Sequence, residues 1–239
     1  MSALTRHWEL KLLALAFSFA LYTGQMCTAP QNVYLPADGI ETDEGHKSLD
    51  EVASAIAGTV GKLTSDPSRA VELIGAIVND GVLTRLEEIR EVGAPVLESR
   101  ELDHPAFAHA VVRTPVIVKV SADDDGVYGR EWFGPISFVV ATDSTAHSLD
   151  IFRSTVGAHG ALTAAVYSTD DKVLDAAEQA SLDAGVHLSC NLTGGVFVNQ
   201  SAAFSDFHAS GANPAANAAL TDGAYVSNRF RVVQSRRHI

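Results

Sequence analysis

Cys27 lies just after an apolar run, residues 12–22, and after the short segment Gly24-Gln25-Met26. A cysteine thiolate is a strong nucleophile, but a free thiol has a pKa of about 8.5. A catalytic cysteine at this place therefore needs a helix end with suitable dipoles to favour its reactive form. The same position is also typical of a small buried apolar side chain. Which alternative holds depends on what accompanies this segment.

A further alternative is that the apolar run is the middle of an export signal. Arg6 and Lys11 supply positive charge around its start, and its length is that of an h-region. Glu9 interrupts that charge, however, and residues 23–26 do not form the small-residue pattern of a cleavage site. The sequence thus favours a helix of a cytoplasmic protein over an exported binding protein.

Two later segments contain further side chains that are suited to chemistry. Residues 131–135 read Glu-Trp-Phe-Gly-Pro and lead into an apolar run, and residues 195–199 read Gly-Val-Phe-Val-Asn and precede a loop. Taken alone, Glu131 would be a solvated surface charge and Phe133 a core residue. The histidines are scattered, and none has zinc-ligand spacing with a cysteine, so we expect no metal site.

In their order, residues 24–27, 131–135 and 195–199 resemble the catalytic half of the aldehyde dehydrogenase superfamily. In that superfamily a G-Q-x-C segment carries the nucleophilic cysteine, and an E-x-F-G-P segment reaches the nicotinamide ribose. A G-x-x-x-N strand then precedes a loop that lines the substrate pocket. Residues 24–32 and the end of the chain are most similar to the PaaN-type branch, which is associated with phenylacetic acid degradation. The resemblance covers nearly everything from about Leu12 onward.

The resemblance implies oxidation of an aldehyde with NAD or NADP, and the branch points to a CoA-linked semialdehyde from aromatic ring cleavage. Cys27 is then the nucleophile, which forms a thiohemiacetal and a thioester, and its backbone N–H helps to hold the oxyanion. By the same resemblance, Glu131 accepts hydrogen bonds from cofactor ribose hydroxyls and Phe133 packs near the nicotinamide. Phe204 and Phe207 line the substrate tunnel.

The superfamily's dinucleotide-binding domain precedes its catalytic cysteine, as do its oxyanion-hole asparagine and its general-base glutamate. Too few residues precede Cys27 to form them, so we expect a truncated catalytic half without the N-terminal dinucleotide-binding domain. Such a chain would bind NAD(P) poorly alone. We expect it to form a homo-oligomer or to associate with a chain that supplies the missing domain. The alternative is an inactive relic or interaction subunit of the same fold.

Composition sets the remaining expectations. The 239 residues are 46% hydrophobic, which suits one sizeable α/β core, and the net charge of −12 argues against a nucleic-acid partner. No apolar run reaches the ~20 residues of a membrane span. The two cysteines do not make a disulfide framework and suit a reducing cytoplasm.

Strands alternate with helices over most of the chain, which predicts an α/β fold with a mostly parallel sheet flanked by helices. We expect a catalytic domain over residues 1–225 and a C-terminal β-like oligomerisation segment over 226–239. The predicted helices are 10–22 (apolar on nearly every face), 49–60 capped by Ser48, one that starts at Asp66-Pro67 and carries Val71, Ile74, Ile77 and Val78 on one face, 83–92, 144–156 and 170–184. The predicted strands are 32–35, 111–112, 115–120, 136–140, 164–167, 196–198 and 230–233, with turns at 37–46 and 123–126.

Overall fold

The structure, a computed structural model, describes residues 8–93, 95–193, 233 and 235–237. It divides into two compact units, one formed by Trp8–Ser144 and the other by the described residues from Thr145 onward. Each combines helices with strands, and the largest sheet of each is mostly or fully parallel, so the predicted α/β class is confirmed.

The first unit begins with a helix and places four of its eight strands in one sheet. Its elements are α1 (Trp8–Ala20), β1 (Asn32–Pro36), β2 (Ile40–Thr42), β3 (Gly45–Lys47), α2 (Leu49–Leu63), α3 (Pro67–Ile74), α4 (Asp80–Glu88), β4 (Pro95–Leu97), β5 (Glu101–Leu102), β6 (Val112–Arg113), β7 (Val116–Ser121), α5 (Asp125–Tyr128) and β8 (Ile136–Thr142). Short 3₁₀ segments, Leu21–Gly24 and Ile89–Glu91, follow α1 and α4.

The main sheet has the strand order β1-β8-β7-β4. Strand β8 pairs in parallel with both β1 and β7, whereas β4 runs antiparallel to β7 at one edge. The register sets Asn32 of β1 and Val118 of β7 opposite Phe138, which is fully buried in β8. A strand that is buried on both faces has a nearly continuous run of apolar residues, and the run at residues 136–140 predicts β8 in this way.

The core of this unit lies between α1, α2 and the sheet. Phe19 of α1 and Ile56 of α2 belong to one buried cluster with Ile117 and Val139 of the sheet. The helix predicted over 10–22 is apolar on nearly every face, a pattern that predicts deep burial, and this prediction is wrong in part. Leu10 is 37% exposed and Leu13 is 45% exposed, so one side of the helix is open.

Helix starts in this unit follow their local capping signals. Ser48 and Glu51 form the predicted capping box at the start of α2, with hydrogen bonds in both directions. Asp66 caps α3, and its carboxylate accepts from the N–H of Ser68 at 2.9 Å. Asn79 caps α4 in the same way, so that helix starts earlier than residue 83.

The end of α3 departs from the prediction. The helix stops at Ile74 because Gly75 adopts φ +68°, a left-handed conformation that ends the helical hydrogen bonding. Ile77 and Val78 therefore do not continue its buried face, and Val78 is 90% exposed.

Two segments predicted as turns contain regular structure. Within 37–46, β2 and β3 form a hairpin, which is closed by the positive φ of Gly45 and by a 2.7 Å hydrogen bond from the Thr42 hydroxyl to the Gly45 carbonyl. Residues 123–126 lead into the one-turn helix α5. Both are short elements that alternation of apolar and polar residues does not reveal.

The second unit contains a small parallel sheet. Its elements are α6 (Thr145–His159), β9 (Thr163–Val166), α7 (Asp171–Ala184), β10 (His187–Cys190) and β11 (Ser235–Arg237), with the strand order β11-β10-β9. Asp170 caps α7, and Gly185 ends it with φ +76°, as predicted. Leu174 and Ala177 of α7 pack on Leu188 and Cys190 of β10.

The predicted C-terminal segment is described only in part. Its strand β11 pairs in parallel with β10 of the same chain. The oligomerisation role of residues 226–239 and the boundary at 225 stay predictions. The predicted strand at 196–198 lies outside the described residues, as does that at 230–233 except for Val233.

Arg237 ties β11 to α7. Its guanidinium donates to Glu178 at 2.8 Å and to Asp175 at 2.9 Å. Glu178 also accepts from the Ser235 hydroxyl at 2.5 Å, and the same hydroxyl lies 3.7 Å from the Cys190 sulfur. These hydrogen bonds, that from Arg237 first, hold the pKa of Glu178 below its usual value.

We predict that Arg237→Gln lowers the melting temperature at neutral pH by a few degrees, since a partly exposed charged pair contributes about 1 kcal/mol or less. A carboxylate with a lowered native pKa contributes stability above its unfolded pKa and loses it as pH falls through the native value. The difference between wild type and variant should therefore disappear in acid. Thermal unfolding from pH 3 to 7 checks this.

The control is Arg153→Gln, since Arg153 pairs with Asp150 on the surface of α6. An equal loss for both variants, or a loss for Arg237→Gln that does not change with pH, would contradict the prediction.

Candidate active site

The backbone before Cys27 makes a left-handed turn. After α1 the chain passes through Tyr22, Thr23 and Gly24 with φ of +52°, +57° and +61°. This conformation costs a residue other than glycine about 1–2 kcal/mol, and it is especially unusual for a β-branched threonine. A turn of this kind persists only where the surrounding structure holds it.

Two side chains hold this turn against the end of α3. Thr23 is fully buried, and its hydroxyl donates to the Ile74 carbonyl at 2.7 Å. The Gln25 amide donates to the Ala76 carbonyl at 2.9 Å and accepts from the Val78 N–H at 3.2 Å. The turn is thereby fixed at both ends, which sets the direction in which the chain enters the cysteine segment.

The Cys27 side chain is exposed, whereas Thr28 beside it is buried. The Thr28 hydroxyl is enclosed and has no hydrogen-bond partner among the described residues. Of the two cysteines it is Cys190 that is buried among apolar side chains, and burial raises the pKa of that thiol. Cys27 is therefore the thiol that a dissolved reactant can reach.

The segment that carries Glu131 is anchored through the two residues that follow it. Trp132 is buried, and its indole N–H donates to the Val127 carbonyl at 2.8 Å. Arg85 donates to the Phe133 carbonyl at 2.8 Å. Glu131 itself is exposed, and within the described part of the chain no hydrogen bond or ion pair engages its carboxylate.

Tyr128 forms the start of this segment. Its hydroxyl donates to the Ala122 carbonyl at 2.8 Å, and burial, with a smaller contribution from Tyr34, raises its pKa to about 12. The phenol thus stays protonated at neutral pH and serves as a fixed donor. Its backbone carbonyl accepts from the side-chain amides of Gln31 and Asn32, both at 3.0 Å.

The Cys27 segment and the Glu131 segment contact each other at Gly24 and Gly134. A Cβ atom added to Gly24 would overlap the Gly134 carbonyl oxygen and lie 2.6 Å from its carbon. Gly134 has φ +138°, and a Cβ there would lie 2.8 Å from a methyl carbon of the buried Val82 in α4. Backbone therefore packs directly on backbone at Gly24, whereas Gly134 is favoured by its positive φ and by its contact with the Val82 side chain.

The pairing of β1 with β8 places the Cys27 segment and the Glu131 segment at the same end of the sheet. Residues 24–31 lead into β1, and residues 131–135 lead into its parallel neighbour β8. The Phe138 N–H donates to the Gln31 carbonyl at 2.7 Å, so the pairing of the strands extends into the cysteine segment. Cys27 and Glu131 thus belong to adjacent loops at the amino ends of two paired strands.

The other predicted site residues have different outcomes. Phe133 is 36% exposed and lies between Glu131 and the glycine contact. Phe204, Phe207 and residues 195–199 lie outside the described residues. The anchors Thr23, Gln31 and Arg85 were not predicted from the sequence, because each acts through hydrogen bonds to the backbone of a distant segment, which leaves no spacing to recognise.

The described ranges contain neither a metal-binding cluster nor a membrane-spanning helix. No group of three or more His, Cys, Asp or Glu side chains there is arranged to hold a metal ion. Nor does that part of the chain contain a helix long and apolar enough to cross a membrane.

Comparison with known proteins gives consistent matches. The model of the aldehyde dehydrogenase family matches residues 8–223. An NAD-dependent aldehyde dehydrogenase from Burkholderia multivorans is 63% identical, with a TM-score of 0.84 over 93% of this chain and 40% of that one. Vanillin dehydrogenase of Corynebacterium glutamicum is 28% identical over 74% of this chain and 34% of its own length. An NAD-dependent benzaldehyde dehydrogenase from the same organism, at 24% identity and a TM-score of 0.51, shares the fold over 82% of this chain and 39% of its own. The chain thus spans well under half the length of these proteins.

We predict that Gly24→Ala lowers stability by about 2–4 kcal/mol, because the new methyl group meets the Gly134 backbone and the residue keeps a left-handed φ. The same change should alter the rate at which a thiol reagent labels Cys27. Chemical denaturation and labelling kinetics measure the two effects.

The matched control is Gly58→Ala in α2, where a Cβ meets nothing within 4 Å. That variant should be slightly more stable, by about 0.5–1 kcal/mol. Equal stabilities for the two variants would show that the glycine contact does not hold the loops.

Proposed function

Since this chain belongs to the aldehyde dehydrogenase family, we propose that it carries the nucleophile of an NAD-dependent oxidation of an aldehyde to an acid. The observation that supports this most directly is the packing of the exposed Cys27 segment on the Glu131 segment through Gly24 and Gly134. The choice of NAD follows the Burkholderia multivorans relative, which is described as NAD-dependent.

In the proposed reaction the Cys27 thiolate attacks the carbonyl carbon of the aldehyde, which gives a thiohemiacetal. The Cys27 backbone N–H donates to the oxygen that becomes negative. Bound NAD supplies the acceptor for the hydride that leaves this carbon. Attack of water on the resulting thioester releases the acid and returns the Cys27 thiol.

The described residues suit a nicotinamide nucleotide. The carboxylate of Glu131 is exposed and unpaired within the described chain, so it is able to accept hydrogen bonds from two ribose hydroxyls. Phe133 offers a partly exposed ring next to it for an apolar contact. These residues would hold only one end of a dinucleotide, which is consistent with weak binding by this chain alone.

The substrate that we propose is an aldehyde from aromatic catabolism, a CoA-linked semialdehyde of the phenylacetic acid route. It rests on the resemblance of residues 24–32 to the PaaN-type branch. The similarity to vanillin dehydrogenase supports an aromatic route in general and does not distinguish these substrates. In the same proposal Phe204 and Phe207 line the substrate tunnel.

We also propose that the site is completed by another polypeptide, either a second copy or a chain that carries a dinucleotide-binding domain. Tyr22 is 54% exposed and Val78 is 90% exposed, and Gln25 links their backbones beside Cys27. Exposed apolar side chains next to a reactive residue favour association. Retention in the cytoplasm is supported by α1, which packs in the core through Leu12, Ala16 and Phe19.

The experiment that tests the proposed nucleophile is labelling with iodoacetamide from pH 5 to 10, in variants that keep one thiol each, Cys190→Ser and Cys27→Ser. We expect the Cys27 thiol to react at least 10-fold faster at pH 7 than Cys190 and than a short unstructured peptide with one cysteine. Labelling of Cys27 no faster than that of the peptide would indicate the alternative, a relic or interaction subunit with the same fold.

A further inference from the structure

The side-chain amide of Gln31 spans the backbone on both sides of Glu131. Its nitrogen donates to the Arg130 carbonyl at 3.0 Å, and its oxygen accepts from the Trp132 N–H at 2.7 Å. The same nitrogen lies 3.0 Å from the Tyr128 carbonyl. The amide thus forms hydrogen bonds with the backbone of the residue before Glu131 and of the residue after it.

Chemistry fixes the orientation of this amide. A carboxamide has two N–H donors on one side and an acceptor oxygen on the other. The flipped orientation would set its oxygen against the Tyr128 and Arg130 carbonyls and its NH₂ against the Trp132 N–H. Only the observed orientation satisfies all three backbone groups.

Gln31 is itself firmly placed. Its backbone carbonyl accepts from the Phe138 N–H of β8 at 2.7 Å, and the next residue, Asn32, begins β1. Its side chain therefore extends from the end of a paired strand rather than from a free loop. A donor on such a support holds its partners in a narrow range of positions.

The remaining anchors of the Glu131 segment act elsewhere. The Trp132 indole binds Val127, and Arg85 binds the Phe133 carbonyl. Arg130 stacks on the Trp132 ring at 3.9 Å and pairs with Glu88 at 3.2 Å through exposed side chains. Gln31 alone among these makes contact with the backbone of both neighbours of Glu131.

We infer that Gln31 is a positioning residue, whose amide holds the backbone of Arg130 and Trp132 so that the Glu131 carboxylate faces the nicotinamide nucleotide. This rests on the proposed role of Glu131. Because Gln31 follows Cys27 by four residues, one short segment then places both the nucleophile and the carboxylate that holds the cofactor.

The test uses Gln31→Met, which keeps the length of the side chain and removes its three hydrogen bonds to backbone groups. The full chain carries Trp8→Phe, so that Trp132 is its one tryptophan, and NADH binding is followed by energy transfer from Trp132. Glu131→Gln gives the loss expected when the carboxylate is absent. The control is Gln179→Met, because the Gln179 amide binds Asp183 on the surface of α7.

We expect Gln31→Met to weaken NADH binding about 10-fold, close to the effect of Glu131→Gln, and to speed hydrogen exchange at the Trp132 amide at least 10-fold. Iodoacetamide labelling of Cys27 should stay within twofold of wild type, and Gln179→Met should change none of these. A general loss of structure would alter Cys27 labelling as well, so the combination identifies a positioning role.

Two results would overturn the inference, and they differ. If wild type binds NADH and Gln31→Met binds it equally well, Gln31 does not position Glu131 although the proposed function stands. If wild type shows no energy transfer to NADH up to millimolar concentration, the proposed role of Glu131 fails and the inference fails with it.

Discussion

The close approach of Gly24 to Gly134 is the contact on which the candidate site depends. A single methyl group at Gly24 would overlap the Gly134 carbonyl, so the two loops pack more closely than any side chain at Gly24 would allow. Cys27 lies three residues beyond one glycine, and Glu131 lies three residues before the other. The relative position of Cys27 and Glu131 is therefore set by main-chain contact rather than by adaptable side chains.

Reaching this contact requires an unfavourable backbone conformation, which the rest of the unit offsets. Tyr22 and Thr23 adopt left-handed angles that cost each about 1–2 kcal/mol. The hydroxyl of Thr23 and the amide of Gln25 bind carbonyls at the end of α3, and each such bond contributes about 1 kcal/mol. Helix α3 thus has a role at the site although it carries no candidate catalytic residue.

Local signals allowed much of the fold to be predicted. Ser48, Asp66 and Asp170 cap helices through bonds to residues two or three positions away, so their effect is visible in a short stretch of sequence. The buried strands β7 and β8 were visible as apolar runs. The end of α3 was not, because the apolar spacing continues through Ile77 and Val78 while the backbone turns at Gly75.

The residues of the candidate site differ in the same way, since some could be predicted from the sequence and others could not. Cys27, Glu131 and Phe133 could be proposed from their motifs, since the chemistry expected of each depends on its own side chain. Gln31, Thr23 and Arg85 were not, since each binds the main chain of a segment about 50 to 100 residues away, and any sequence at that segment offers the same carbonyls. Left-handed angles at Tyr22 and Thr23 were equally invisible, because these residue types rarely adopt them.

The most direct test of Cys27 as the proposed nucleophile is to treat the protein with p-nitrophenyl acetate, whose activated ester reacts with a nucleophile without any cofactor. The thiolate displaces nitrophenolate and keeps the acetyl group as a thioester, so release of nitrophenolate and the mass of the protein both report the step. We predict a burst of one equivalent of nitrophenolate, with the acetyl group on Cys27, and no burst in Cys27→Ser. Acetylation of Cys190 instead, or reaction of Cys27 no faster than a short unstructured peptide with one cysteine, would contradict it.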